Sequence, residues 1–178
     1  MKMILSAMKM TMEEYKGKTI AVSGGFDPIH IGHVRLFKAT KDMVGETGKL
    51  IVILNSDSWL IQKKGKYLMN ENDRAEILRA LSFVDDVFIW ESTDHDVSGA
   101  LHTIRPDIFA NGGDRDQKDA ADPTSSLYKD IETCKKLGIV VLFNLGGDKI
   151  RSSSELLTNY GRNKEKIKDV RRSGDMPR

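Results

Sequence analysis

Apolar positions in this chain fall into short continuous runs separated by amphipathic stretches. The runs are Thr19–Ser23 (TIAVS), Leu50–Leu54 (LIVIL), Val87–Trp90 (VFIW), Asp107–Ala110 (DIFA) and Ile139–Phe143 (IVVLF). They are β-branched or aromatic, lack internal proline and lie tens of residues apart, which predicts buried parallel strands. Between them the apolar spacing predicts helices over about Ile31–Val44, Asn70–Phe83, Asp96–Ile104, Pro123–Leu137 and Ser152–Tyr160. Asn70 is the N-cap of the second, with Asp73 at its capping-box position.

Strand-helix alternation of this kind predicts one doubly wound, Rossmann-like α/β domain over residues 18–160, with a five-stranded, mainly parallel sheet. An extension over 1–17 precedes it and a basic polar tail over 161–178 follows. Such sheets bind ligands beyond the carboxyl ends of their strands. The first of those loops reads Gly24-Gly25-Phe26-Asp27-Pro28-Ile29-His30. Glycines let a backbone approach an anion, and the following helix aims its first N–H groups at the same place. A helix starting near Pro28 or Ile29 puts His30 and His33 on one face of its first turn, with Gly32 between them. Two imidazoles beside a helix N-terminus can donate to phosphate oxygens that gain charge in a transition state. A zinc pair is the weaker reading, because His-x-x-His supplies only two ligands and no cysteine partners it.

The loop after the fourth strand is Asn111-Gly112-Gly113-Asp114-Arg115, a glycine turn followed by a carboxylate suited to a ribose. The one after the fifth ends in Lys149-Ile150-Arg151-Ser152-Ser153-Ser154-Glu155. Capping explains one of these serines, and the others offer hydroxyls to phosphates. Gln62-Lys63-Lys64-Gly65-Lys66 is expected as a basic loop after the second strand, with Arg74 on the next helix. Four loops at one sheet edge thus suit phosphate.

Composition narrows the class without choosing within it. The chain has 178 residues, 39% hydrophobic and 30% charged, which is ordinary for one globular domain. Its single cysteine, Cys134, excludes an internal disulfide framework and fits a reducing, cytoplasmic setting. No run is long enough for a signal peptide or a bilayer span. Net charge is +2, but Arg162–Arg178 holds seven basic and three acidic residues. That tail reads as a solvated end, with nucleic acid or anionic lipid as the lesser possibility.

The order GGFDPIHIGH, LNSD, KKG, NDRAEILRALSFVDDV, NGGD and SSSELL resembles the nucleotidyltransferase superfamily that carries His-x-Gly-His. It is most similar to the branch of heptose-1-phosphate adenylyltransferases and glycerol-3-phosphate or ethanolamine-phosphate cytidylyltransferases. The resemblance covers about Lys18 to Tyr160. Pro28 is more like the nicotinate-mononucleotide and phosphopantetheine adenylyltransferases, yet Leu157 stands where those carry an arginine. Arg115 stands where relatives often have an aromatic residue.

The resemblance implies transfer of a nucleoside monophosphate from ATP or CTP to a phosphorylated acceptor, with pyrophosphate released. A sugar phosphate such as heptose 1-phosphate is the favoured acceptor. Glycerol 3-phosphate or ethanolamine phosphate is the alternative. His30, His33, Lys64 and Arg74 would be catalytic. Gly24, Gly25, Phe26, Asp27, Gly32, Asn111, Gly113, Asp114, Ser152, Ser153 and Ser154 would bind nucleotide. Mg2+ would accompany the triphosphate, without an all-protein cage, and a homodimer is implied. Class I aminoacyl-tRNA synthetases share His-Ile-Gly-His, but the chain is too short for tRNA-reading domains. A non-catalytic nucleotide sensor whose tail touches nucleic acid is the reading of another class.

Overall fold

A computed structural model describes residues 11–112, 121–147, 152–160 and 162. Five strands form one parallel sheet: β1 (Thr19–Gly24), β2 (Lys49–Asn55), β3 (Asp86–Trp90), β4 (Ile108–Gly112) and β5 (Val140–Leu145). Their order is β3-β2-β1-β4-β5. The chain therefore runs outward from β1 to β3, then returns to place β4 on the other side of β1. That reversal between β1 and β4 is where an open α/β sheet offers a crevice for a ligand.

The helices are α1 (Met12–Tyr15), α2 (Ile31–Val44), α3 (Asp57–Lys64), α4 (Glu71–Arg79), α5 (Ser98–Ile104) and α6 (Ser126–Leu137). A last helix, α7, covers 153–160. Pleating sends alternate strand residues to opposite faces. Ile20, Val22, Leu50, Val52, Leu54, Ile108 and Ala110 pack against Leu36 and Phe37 of α2 and Ala75 and Leu78 of α4. Their neighbours Ala21, Ile53 and Phe109 pack against Ala100 and Leu101 of α5 and Leu127, Ile131 and Cys134 of α6. Burial on both faces is why the strands read as continuous apolar runs.

Some expected helix boundaries shift, two of them for evident local reasons. The helix expected over Asn70–Phe83 ends at Arg79, and the chain then tightens through Leu81 N–H to Leu78 O and Val84 N–H to Leu81 O. Asn70 caps it as expected, with Oδ1 accepting from Asp73 N–H at 2.9 Å. The helix expected from Pro123 starts at Ser126, where Ser125 Oγ accepts from Leu127 N–H. The larger difference is α3. Lys63 and Lys64, expected in a loop, close a helix that begins two residues after β2, with Ser56 Oγ capping Trp59 N–H and Gly65 turning left-handed at its end.

Candidate active site

The loop leaving β1 is shaped by what packs on it. Phe26 is buried and holds φ 47°. Its ring lies so near Gly24 that an added Cβ there would sit 2.9 Å from Phe26 Cζ, and one on Gly25 would sit 2.7 Å from Leu60 Cδ2. The same ring meets His33 edge-on at 4.9 Å and Phe37 at 5.0 Å. Phe26 is thus the floor beneath the histidine pair.

The pair differs from expectation in one respect. The helix begins at Ile31, so His30 is its N-cap in extended conformation (φ −146°, ψ 171°) and not part of its first turn. The cap forms because His30 O accepts from His33 and Val34 N–H while His30 Nδ1 accepts from Gly32 N–H at 3.2 Å. His33 Nδ1 in turn accepts from His30 N–H at 3.2 Å. The two rings stack, with centroids 3.6 Å apart and planes 19° off parallel. With Nδ1 an acceptor in each ring, the neutral form carries its proton on Nε2. Burial, then the charge of His30, then that of Lys64, pushes the His33 pKa down to about 3. His33 is a neutral donor at ordinary pH.

Arg74 is the clear correction. Expected to meet phosphate oxygens, it is buried, with 1% of its surface exposed. Its Nη1 donates to Gly25 O (2.7 Å) and Asn55 O (2.8 Å), Nε to Met69 O (2.9 Å) and Nη2 to Asp57 Oδ1 (2.6 Å). These partners lie on the loop after β1, the end of β2, the start of α3 and the approach to α4. A buried guanidinium with these contacts is a strut that fixes the loops.

Asp27 is also committed internally. Its carboxylate accepts Leu68 N–H (2.6 Å) and Met69 N–H (2.9 Å), strapping the segment after α3 to the glycine loop. Lys63 Nζ sits over the Trp59 ring at 4.7 Å, whereas Lys64 faces a cavity of about 460 Å³. Asp27, Lys64, Lys66, Tyr67 and Leu68 form one wall of that cavity, and Ser154, Leu157 and Thr158 of α7 the other.

The three serines divide their work. Ser152 Oγ caps α7 by accepting from Glu155 N–H at 3.1 Å. Ser153 Oγ donates to Pro28 O at 2.9 Å, docking α7 on the glycine loop. Ser154 is exposed and faces the cavity. Asn111, next to last in β4, is buried, and its Nδ2 has no hydrogen-bond partner among the described residues. Gly113, Asp114, Arg115, Lys149 and Arg151 lie outside the described residues.

The structure thus places Lys64 and Ser154 on one cavity, with the charge of Lys64 acting on His33, and commits Arg74, Asp27, Ser152 and Ser153 to internal hydrogen bonds. Tyr67, Leu68, Leu157 and Thr158 line the cavity without having been expected there. The signal was an apolar pair, Tyr67-Leu68, directly after a run of lysines. Cys134 is no nucleophile, since burial, then Asp130, pushes its thiol up to about 12. Among the described residues no group of His, Cys, Asp and Glu could hold a metal ion, and no helix is long and apolar enough to cross a membrane.

Residues 21–160 match the cytidylyltransferase-like family. The chain belongs to that family. It is 38% identical over 98 residues to the FAD synthase of Pyrococcus abyssi, covering 54% of this chain and 64% of that one. The FAD synthase of Methanothermobacter thermautotrophicus is 35% identical over 98 residues, covering 55% and 64%. The bifunctional protein HldE of Syntrophotalea carbinolica is 37% identical over 110 residues, 59% of this chain but 21% of that protein. Among solved structures, the lipopolysaccharide core biosynthesis protein from Thermoplasma volcanium superposes with a TM-score of 0.54 at 25% identity, covering 72% of this chain and 95% of that one. The chain spans 64% of the length of the two FAD synthases.

Proposed function

We propose that this chain is a nucleotidyltransferase that moves the adenylyl group of ATP onto the phosphate of a small acceptor, with FMN the favoured acceptor. The observation that carries the reading is the stacked, hydrogen-bonded pair His30 and His33 at the N-terminus of α2, with the charge of Lys64 acting on His33. Family membership supports nucleotidyl transfer. The relatives named FAD synthase support adenylylation of FMN, since FAD is FMN joined to AMP through a phosphoanhydride.

In this reading an acceptor phosphate oxygen attacks the α-phosphorus of ATP. The bond to the bridging oxygen breaks and pyrophosphate leaves with its electron pair. The attacking phosphate is already ionised, so no general base is required. Catalysis is then positioning and charge stabilisation. Neutral His33 donates from Nε2 to the oxygens that gain charge, His30 does the same from the cap, and the α2 N-terminus adds its dipole. Lys64 offsets phosphate charge, and Ser154 offers its hydroxyl to phosphate from the start of α7. Mg2+ enters with the triphosphate as substrate. Asp27 is not offered to it, because both carboxylate oxygens accept backbone N–H groups.

A sugar phosphate such as heptose 1-phosphate is the second reading, favoured by the HldE match and the lipopolysaccharide-core structure. The test is pyrophosphate release with ATP or CTP against FMN, heptose 1-phosphate, glycerol 3-phosphate and ethanolamine phosphate. Release that needs both ATP and FMN, with FAD formed, is the expected result. Release only with heptose 1-phosphate transfers the assignment to the second reading. Silence across the grid, with no nucleotide binding by calorimetry, overturns the site.

A further inference from the structure

We infer that Tyr67, Leu68 and Leu157 form an apolar clamp for a planar ring carried by the acceptor phosphate. This rests on the adenylyltransferase reading above and goes beyond it by assigning the half of the site that holds the acceptor's body.

The cavity of about 460 Å³ falls within the roughly 300–1,000 Å³ typical of small-molecule sites. Its chemistry is divided. Lys64 and Lys66 present positive charge. Asp27, the carboxylate in its lining, is buried and satisfied by Leu68 and Met69 N–H. The rest of the wall includes Tyr67, Leu68 and Leu157. Tyr67 is 43% exposed and Leu68 55%, among the few large hydrophobic side chains left in solvent. An apolar lip beside lysines suits a ligand that is anionic at one end and flat and apolar at the other.

The FMN reading assigns that ligand as the acceptor. The segment from Asn111 at the end of β4 is where the nucleotide was expected. The cavity lies between the segment following α3 and α7. Leu157 adds to the argument. It adds an aliphatic side chain to the lining that holds Tyr67 and Leu68. Both backbone N–H groups of Leu68 and Met69 are fixed by Asp27, so the lip is held ready and need not be ordered by the ligand.

The test is FMN binding by quenching of flavin fluorescence, with ATP binding followed separately by calorimetry, on the full chain and on Tyr67→Ala and Tyr67→Phe. Tyr67 is exposed, so neither variant should lower the melting temperature. Expected is FMN affinity weakened about two- to tenfold in Tyr67→Ala, the span of an aromatic contact, and kept in Tyr67→Phe. ATP affinity should be unchanged in both. Equal FMN affinity in wild type and Tyr67→Ala overturns the clamp while leaving FMN as the acceptor. A loss of ATP affinity instead reassigns the cavity to the nucleotide and overturns the clamp for the acceptor. No FMN binding by wild type, with pyrophosphate still released on a ring-free phosphate, overturns the clamp together with the FMN reading.

Discussion

Two imidazoles stacked 3.6 Å apart cannot both be charged at low cost, and here the fold settles which state His33 keeps. Its pKa, lowered from 6.5 to about 3, has a consequence for stability. Between those values the unfolded chain binds a proton at this ring and the folded chain does not. Stability therefore has its full value above pH 6.5 and falls as pH drops toward 3, by up to about 1.4 kcal/mol per pH unit for this one group. His33→Asn removes the titrating ring. Urea midpoints compared at about pH 7.5 and 4.5 should differ less for His33→Asn than for wild type, and equal differences would show that His33 does not titrate in this window. The pair itself was legible in the sequence from Gly24-Gly25 and the His-x-x-His spacing. The cap was not, because whether His30 stands inside or outside the first turn depends on the hydrogen bonds of its own ring.

At the scale of elements, α7 shows how one motif is shared among tasks. A capped helix needs one serine, and Ser152 supplies it. Ser153 holds the helix to Pro28, which leaves Ser154 to face the cavity. The expected outcomes separate accordingly. Ser152→Ala should cost about 1 kcal/mol as a lost cap, and Ser153→Ala about as much as a lost hydrogen bond with its acceptor left behind. Ser154→Ala should melt within about 0.5 kcal/mol of wild type yet raise KM for a phosphate-bearing substrate. Thermal melts and steady-state kinetics on the three variants check this, and a destabilised Ser154→Ala with unchanged KM would reverse the assignment. The strands were readable because both faces of the sheet are covered. Helix α3 was not, because it follows β2 after a single residue and its apolar Trp59 and Leu60 are followed by Gln62-Lys63-Lys64, which carry no helical stripe. Arg74 was misjudged for a related reason. A basic residue beside a basic loop suggests an anion, and only the folded chain reveals four internal acceptors within its reach.

At the scale of the molecule, the site depends on two halves of the sheet meeting over α2. The chain leaving β5 passes this helix at Gly146, which has φ +83° and would place a Cβ 2.8 Å from both Leu36 Cα and Leu36 N. Backbone lies against backbone there, on the helix that carries His33. Gly138, at the end of α6, is a natural control, since it has φ +72° and nothing within 4 Å of an added Cβ. Alanine at either position adopts a left-handed conformation at about 1–2 kcal/mol. Only at Gly146 does it also meet a rigid neighbour, an overpacking that adds about 1–3 kcal/mol. Gly146→Ala should thus unfold at lower urea than Gly138→Ala. Its displacement of α2 should also lower kcat for pyrophosphate release, because a small misplacement of positioned donors is costly in a site that works by geometry. Gly138→Ala should keep wild-type kcat. Equal loss of stability in the two variants, with kcat intact in both, would mean that β5 and α2 do not act as one body in holding the histidine pair.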